Sequence, residues 1–164
     1  MENTKKQKKL GVTLIEIMMV IAIIGIMSSI VFVNVKRDGS IVQSAARELA
    51  TDLRTLKRSA LNGKLPAEVS GYACSFFFTP SNSSYSFSGT KKNSPTVACS
   101  LFSPYFTKNL SNGVNLSPAT QIVFSVPHGK PSTGVAYTLS KGSCSMTVTV
   151  TADGDITEGS LSGC

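Results

Sequence analysis

The chain has 164 residues, a formal net charge of +7, no tryptophan, four cysteines and a single histidine. That length fits one modest domain beside an N-terminal segment, and the about 100 residues left over close a single small core. His128 belongs to no Ser-His-Asp or Cys-His set in a recognisable context, so the chain is read as no enzyme, with no cofactor and no metal expected.

Residues 1–11 form a basic leader, where Lys5, Lys6, Lys8 and Lys9 against Glu2 give +3, and the remainder carries +4. A basic flank ahead of an apolar run keeps the N-terminus cytoplasmic and sends the C-terminal side outward. The run "VTLIEIMMVIAIIGIMSSIVFV" follows Gly11 and holds no charge from Ile17 to Val33. As a helix it measures about 33 Å at 1.5 Å per residue, enough to span a bilayer core. It is too long for the usual apolar region of a removable secretory signal, and Glu16 would be out of place in one. Residues 12–35 are therefore read as a retained transmembrane helix.

Over residues 36–63 the pattern stays helical but turns amphipathic. Ala45, Leu49, Leu53, Leu56 and Ala60 fall within about 80° of arc, while Arg47, Arg54 and Arg58 lie opposite and read as a solvated face. Asn62-Gly63 is a stop signal after a basic last stretch. Gly39 weakens the helix by about 1 kcal/mol, so a bend near Asp38-Gly39 is expected within one long helix.

Residues 64–164 read as strands. "YACSFFF", "SYSFS", "TVACSLF", "QIVFSV", "VAYTLS" and "SMTVTVT" are short β-branched or aromatic runs. Between them "TPSNSS", "GTKKNSP", "VPHGKPSTG" and "TADGD" read as turns. "TVTVTADGDIT" predicts a hairpin with Asp153-Gly154 at its tip. The class is thus α+β: a long N-terminal helix, half transmembrane and half amphipathic, packed on a C-terminal antiparallel sheet domain.

Cys74, Cys99, Cys144 and Cys164 all lie on the outward side. An even number in a small exported domain predicts two disulfides, with three connectivities possible. Cys144 and Cys164 are nearly equidistant from the hairpin tip, which pairs them and leaves Cys74 with Cys99. Zinc is disfavoured by the lack of short Cys-x-x-Cys spacing. Asp153, Asp155 and Glu158 could hold calcium, but they lack the full EF-hand pattern and a hairpin turn explains them. Lys91-Lys92, with Lys108, Lys130 and Lys141, are candidate DNA contacts, and Tyr85 and Tyr105 candidate stacking partners. Solubilising loop lysines are the plainer reading.

The basic leader, Gly11 and the following run with Thr13, Leu14, Ile15, Glu16 and Gly25 resemble the signal of type IV pilins and pseudopilins. "SAARELATDLRTLKRSALNGK" before a strand resembles the minor pilins and pseudopilins of the GspH/FimT type. The resemblance implies a pilin-like fold and cleavage between Gly11 and Val12 by a prepilin peptidase, which also methylates the new amine of Val12. It further implies an assembly ion pair between Glu16 and the Val12 amine of a neighbour. Its implied partners are that peptidase, other pilin subunits through their N-terminal helices, and membrane lipid before assembly. The implied location is the cytoplasmic membrane with the sheet domain outside, and then a surface pilus or periplasmic pseudopilus. Val12 stands where the family most often has phenylalanine, and Val33 where many members have proline. The function expected is a structural subunit, most often a minor one. The alternatives are a DNA-binding minor pilin for natural transformation and an anchored exported domain that does not assemble.

Overall fold

The computed structural model describes residues 13–164, with the side chains of 29–36 and 111 outside that description. Helix α1 runs Leu14–Asn62. The chain divides into two units, one up to Val35 and one from Lys36 onward. In the first unit Ser28 Oγ donates back to the Ile24 carbonyl at 2.8 Å, and Gly25 faces open space. Val33, named above for its place in the helix, lies outside the described side chains.

In the second unit α1 buries Val42, Ala45, Ala46, Leu49, Ala50, Leu53, Leu56 and Ala60. Their three- and four-residue spacing is that of one helix face, with Arg47, Arg54 and Arg58 exposed on the other. Each buried leucine contributes about 1.5–3 kcal/mol by leaving water. The helix ends as its sequence dictates. Gly63 takes φ +60° while its N–H donates to the Ala60 carbonyl, and the Lys64 N–H donates to the Ser59 carbonyl. These two bonds are the paired closure that a C-terminal glycine permits.

Eight strands follow: β1 (Tyr72–Pro80), β2 (Ser84–Lys92), β3 (Ser100–Asn109), β4 (Asn115–Ser117), β5 (Ile122–Ser125), β6 (Val135–Lys141), β7 (Cys144–Val150) and β8 (Ile156–Glu158). They form two four-stranded sheets, β3-β2-β1-β5 and β4-β6-β7-β8. Every pairing is antiparallel. Alternation sets the inner faces: Phe76 and Phe78 of β1, Tyr85 and Phe87 of β2, and Cys144, Met146, Val148 and Val150 of β7 are buried. Phe78 and Tyr137 join the two sheets edge to face, with centroids 5.1 Å apart.

Two boundaries differ from the sequence pattern. "GTKK" reads as a turn, yet it is the end of β2, paired with β1 through Ala73↔Lys91 and Tyr72↔Lys92. Gly89 is in the strand because a Cβ there would meet the Ser75 carbonyl at 2.5 Å and the Phe102 ring at 2.7 Å. The ring occupies the place of the missing side chain. Conversely "TVAC" is not strand, and β3 begins at Ser100 and continues through Pro104. A proline is tolerated there because β3 is an edge strand, with a register irregularity opposite Phe87–Gly89.

The hairpin of β7 and β8 closes through Thr151 N–H to Asp155 carbonyl and Gly154 N–H to Thr151 carbonyl, both at 2.9 Å. Gly154 sits at φ +87°, so the loop is three residues with glycine in its left-handed position. Beyond it Ser162 pairs with Ser145, and the C-terminal stretch reaches α1. Helix α1 continues through Gly39, and the residue is buried beneath that stretch. A Cβ on Gly39 would stand 3.2 Å from Cys164 Sγ and 3.2 Å from Leu161 Cδ2.

Polar contacts hold both flanks of the helix to the sheets. On one side Lys108 of β3 pairs with Glu48 and lies 3.9 Å from Asp52, which accepts the Tyr85 hydroxyl at 2.6 Å. On the other, Lys141 pairs with Asp38 at 2.9 Å and Lys57 donates to the Gly154 carbonyl at 2.8 Å. There too Arg54 reaches Glu158 at 3.0 Å and the Ile156 carbonyl at 3.1 Å. The Arg54–Glu158 pair is exposed and is worth less than about 1 kcal/mol.

Candidate functional site

The head of α1 is set by Thr13, whose carbonyl accepts the Glu16 N–H at 3.0 Å and the Ile17 N–H at 3.3 Å. "TLIE" also has the Thr-x-x-Glu spacing favoured at helix starts, where a carboxylate in the first turn meets the positive end of the helix dipole. Sequence reasoning from the membrane run alone misses this local role of Thr13 and Glu16, although the spacing was there to be read. Glu16 is exposed, and among the described residues no cation pairs with it. Around it Leu14, Ile15, Ile17, Met18, Met19 and Val20 are between 52% and 78% exposed. A surface so apolar on all sides demands cover, and the one acid on it demands a cation wherever water is excluded. Gly11 and Val12 lie outside the described residues. Among the described residues no helix is long and apolar enough to cross a membrane.

The cysteines are brought together in two pairs, Cys74–Cys99 with Cα atoms 6.4 Å apart and Cys144–Cys164 with Cα atoms 4.8 Å apart. Lys91 and Lys92 lie at the end of β2, where Lys91 Nζ donates to the Ser70 carbonyl at 3.0 Å. Lys108 and Lys141 are engaged with helix carboxylates rather than free for a polyanion. Tyr85 cannot stack on a base, because it is buried in the core with its hydroxyl on Asp52. Burial first, and then the Asp52 hydrogen bond and charge, push its hydroxyl well above the usual tyrosine range. Tyr105 is half-buried, and burial pushes it up to about 12. Glu158 is paired with Arg54, and among the described residues no three His, Cys, Asp or Glu side chains are placed to hold a metal ion. His128 is exposed in the turn after β5.

Residues 6–32 match the family model described as the prokaryotic N-terminal methylation motif. The chain carries that methylation motif. The motif takes in Gly11, Thr13, Glu16 and Gly25 and ends within α1. Beyond the motif, a search of curated proteins finds no match. Among solved structures the chain is similar to the minor pseudopilin EpsH from the Type 2 Secretion System of Vibrio cholerae, at 14% identity and a TM-score of 0.44. That likeness covers 71% of this chain and 94% of the other.

Proposed function

We propose that this chain is a pilin-like structural subunit, cut between Gly11 and Val12, methylated on the new amine and assembled through its N-terminal helix. The observation that carries the reading is the methylation motif at residues 6–32, with Glu16 exposed in the first turn of α1 among exposed apolar neighbours.

The chemistry runs as follows. Before processing, residues 12–35 anchor the chain in the cytoplasmic membrane, with the basic leader inside and the sheet unit outside. A carboxylate in that span costs up to about 3 kcal/mol unless it is compensated. Cleavage releases a cationic amine at Val12, four residues before Glu16. When helices bundle, the Glu16 of one subunit meets the Val12 amine of the next, each charge removes the other's desolvation penalty, and their pairing fixes axial register. The uncut leader lacks that amine and places four lysines in the way, so cleavage precedes assembly.

A Glu16→Ala variant tests assembly directly. It is expected to be exported and cleaved normally but to be absent from sheared or purified filaments, as measured by immunoblot. Unchanged incorporation would leave an anchored domain that does not assemble. Intact mass of the mature protein is expected to show the loss of residues 1–11, one added methyl group and the hydrogens removed by two disulfides.

A further inference from the structure

Most large side chains of the second unit are in the core, but three stand out of it at one corner of the first sheet. Tyr72 is 56% exposed, Val97 53% and Leu101 75%. The register explains their proximity. Tyr72 is paired with Lys92 and Leu101 with Thr90, and both partners lie on the β2 face opposite the buried Tyr85, Phe87 and Gly89. The Cys74–Cys99 disulfide ties the loop carrying Val97 to the same corner.

Charge at this corner is uncompensated. Lys108 and Lys141, elsewhere on the sheets, are matched by carboxylates of α1. Lys92, on the same face as Tyr72 and Leu101, has no carboxylate partner among the described residues, while Lys91 alternates to the other face, where its Nζ donates to the Ser70 carbonyl. The corner also ends at a sheet edge, since β3 has β2 on one side and no strand on the other. Pro104 limits further pairing to the first residues of β3, around Leu101.

We propose that this corner docks an extended, acidic polypeptide segment of a partner protein, which adds alongside the first residues of β3, packs an apolar side chain against Leu101, and reaches a carboxylate across to Lys92. Backbone pairing at an edge gives affinity, and the pockets and charges beside it give selectivity. A polypeptide is favoured over a nucleic acid because this face of the corner offers one cation, Lys92, beside two exposed aliphatic side chains, Val97 and Leu101. Polyanion binding instead uses a stripe of several cations along the backbone it follows. Exposed apolar side chains beside unpaired charge are the usual composition of a protein contact.

The test uses the full chain in detergent micelles and fluorescence anisotropy. Its probes are an octapeptide alternating leucine or isoleucine with aspartate or glutamate, the same peptide with lysine at the acidic positions, and the same peptide with serine at the apolar ones. Single-stranded DNA and phosphatidylglycerol vesicles are run in parallel. The acidic apolar peptide is expected to bind, and the other two peptides to bind at least about tenfold more weakly. Leu101→Ser and Lys92→Glu are each expected to weaken it about fivefold, with melting temperatures unchanged. Lys130→Glu, at an exposed lysine outside the corner, is expected to leave it as it was. The proposal is overturned by no binding of the acidic peptide, by equal binding of the three peptides, or by indifference to Leu101→Ser. Tighter binding of DNA or vesicles that depends on Lys92 but not on Leu101 also overturns it.

Discussion

Tyr85 and Tyr137 show how a single hydroxyl is satisfied in an apolar core. Tyr85 donates to Asp52 and Tyr137 donates to the Thr120 carbonyl, both at 2.6 Å, so neither buried oxygen is an orphan. Burial raises both hydroxyls above the ordinary value of about 10 for an unfolded chain. The folded state therefore keeps protons that the unfolded state releases, and stability is full below about pH 10 and falls as pH rises beyond it. The urea midpoint of the full chain in micelles is expected to hold from pH 7 to about 9 and to drop toward pH 11. Tyr137→Phe is expected to flatten that alkaline slope. At this scale sequence reasoning saw two strand tyrosines but not their partners, because Asp52 and Thr120 are remote in the chain and only the fold brings them near.

Among the elements, the second-unit stretch of α1 was the most legible. Its stripe from Ala45 to Ala60 faces one core, and a single face imposes one period on the sequence. The head of α1 was equally legible, since the motif is local and its glycine, threonine and glutamate report themselves by spacing. The junction of β2 and β3 was not. Gly89, Lys91 and Lys92 have turn chemistry, and what makes them strand is pairing with β1 and the Phe102 ring over Gly89. The three residues of β4 are too few to show any period. A Gly89→Ala substitution tests the account. The added methyl meets a backbone carbonyl as well as a ring, so a loss of about 1–3 kcal/mol is expected in urea unfolding, where an ordinary strand position would gain.

For the whole molecule, the helix, both sheets and the C-terminal stretch share one closed second unit. Within α1, Gly39 packs closely beneath Leu161 and Cys164. Two effects compete on substitution there. Alanine gains about 1 kcal/mol of helix propensity, and its methyl must displace Cys164 Sγ and Leu161 Cδ2 by a few tenths of an ångström. Leu161 is partly exposed and gives way, so Gly39→Ala is expected to change the melting temperature little. Gly39→Leu has no such room and is expected to lower stability by about 1–3 kcal/mol in the same measurement.

The meeting of Gly39 with Cys164 also orders events during synthesis. The stripe of α1 leaves the ribosome before any strand, and the residues that cover Gly39 leave after β7 and β8. Until the strands follow it, Val42, Leu49 and Leu53 have nothing to pack on, and contacts so distant in the chain form slowly. The nascent helix is therefore exposed apolar surface until the strands follow, a natural substrate for whatever chaperone accompanies the chain.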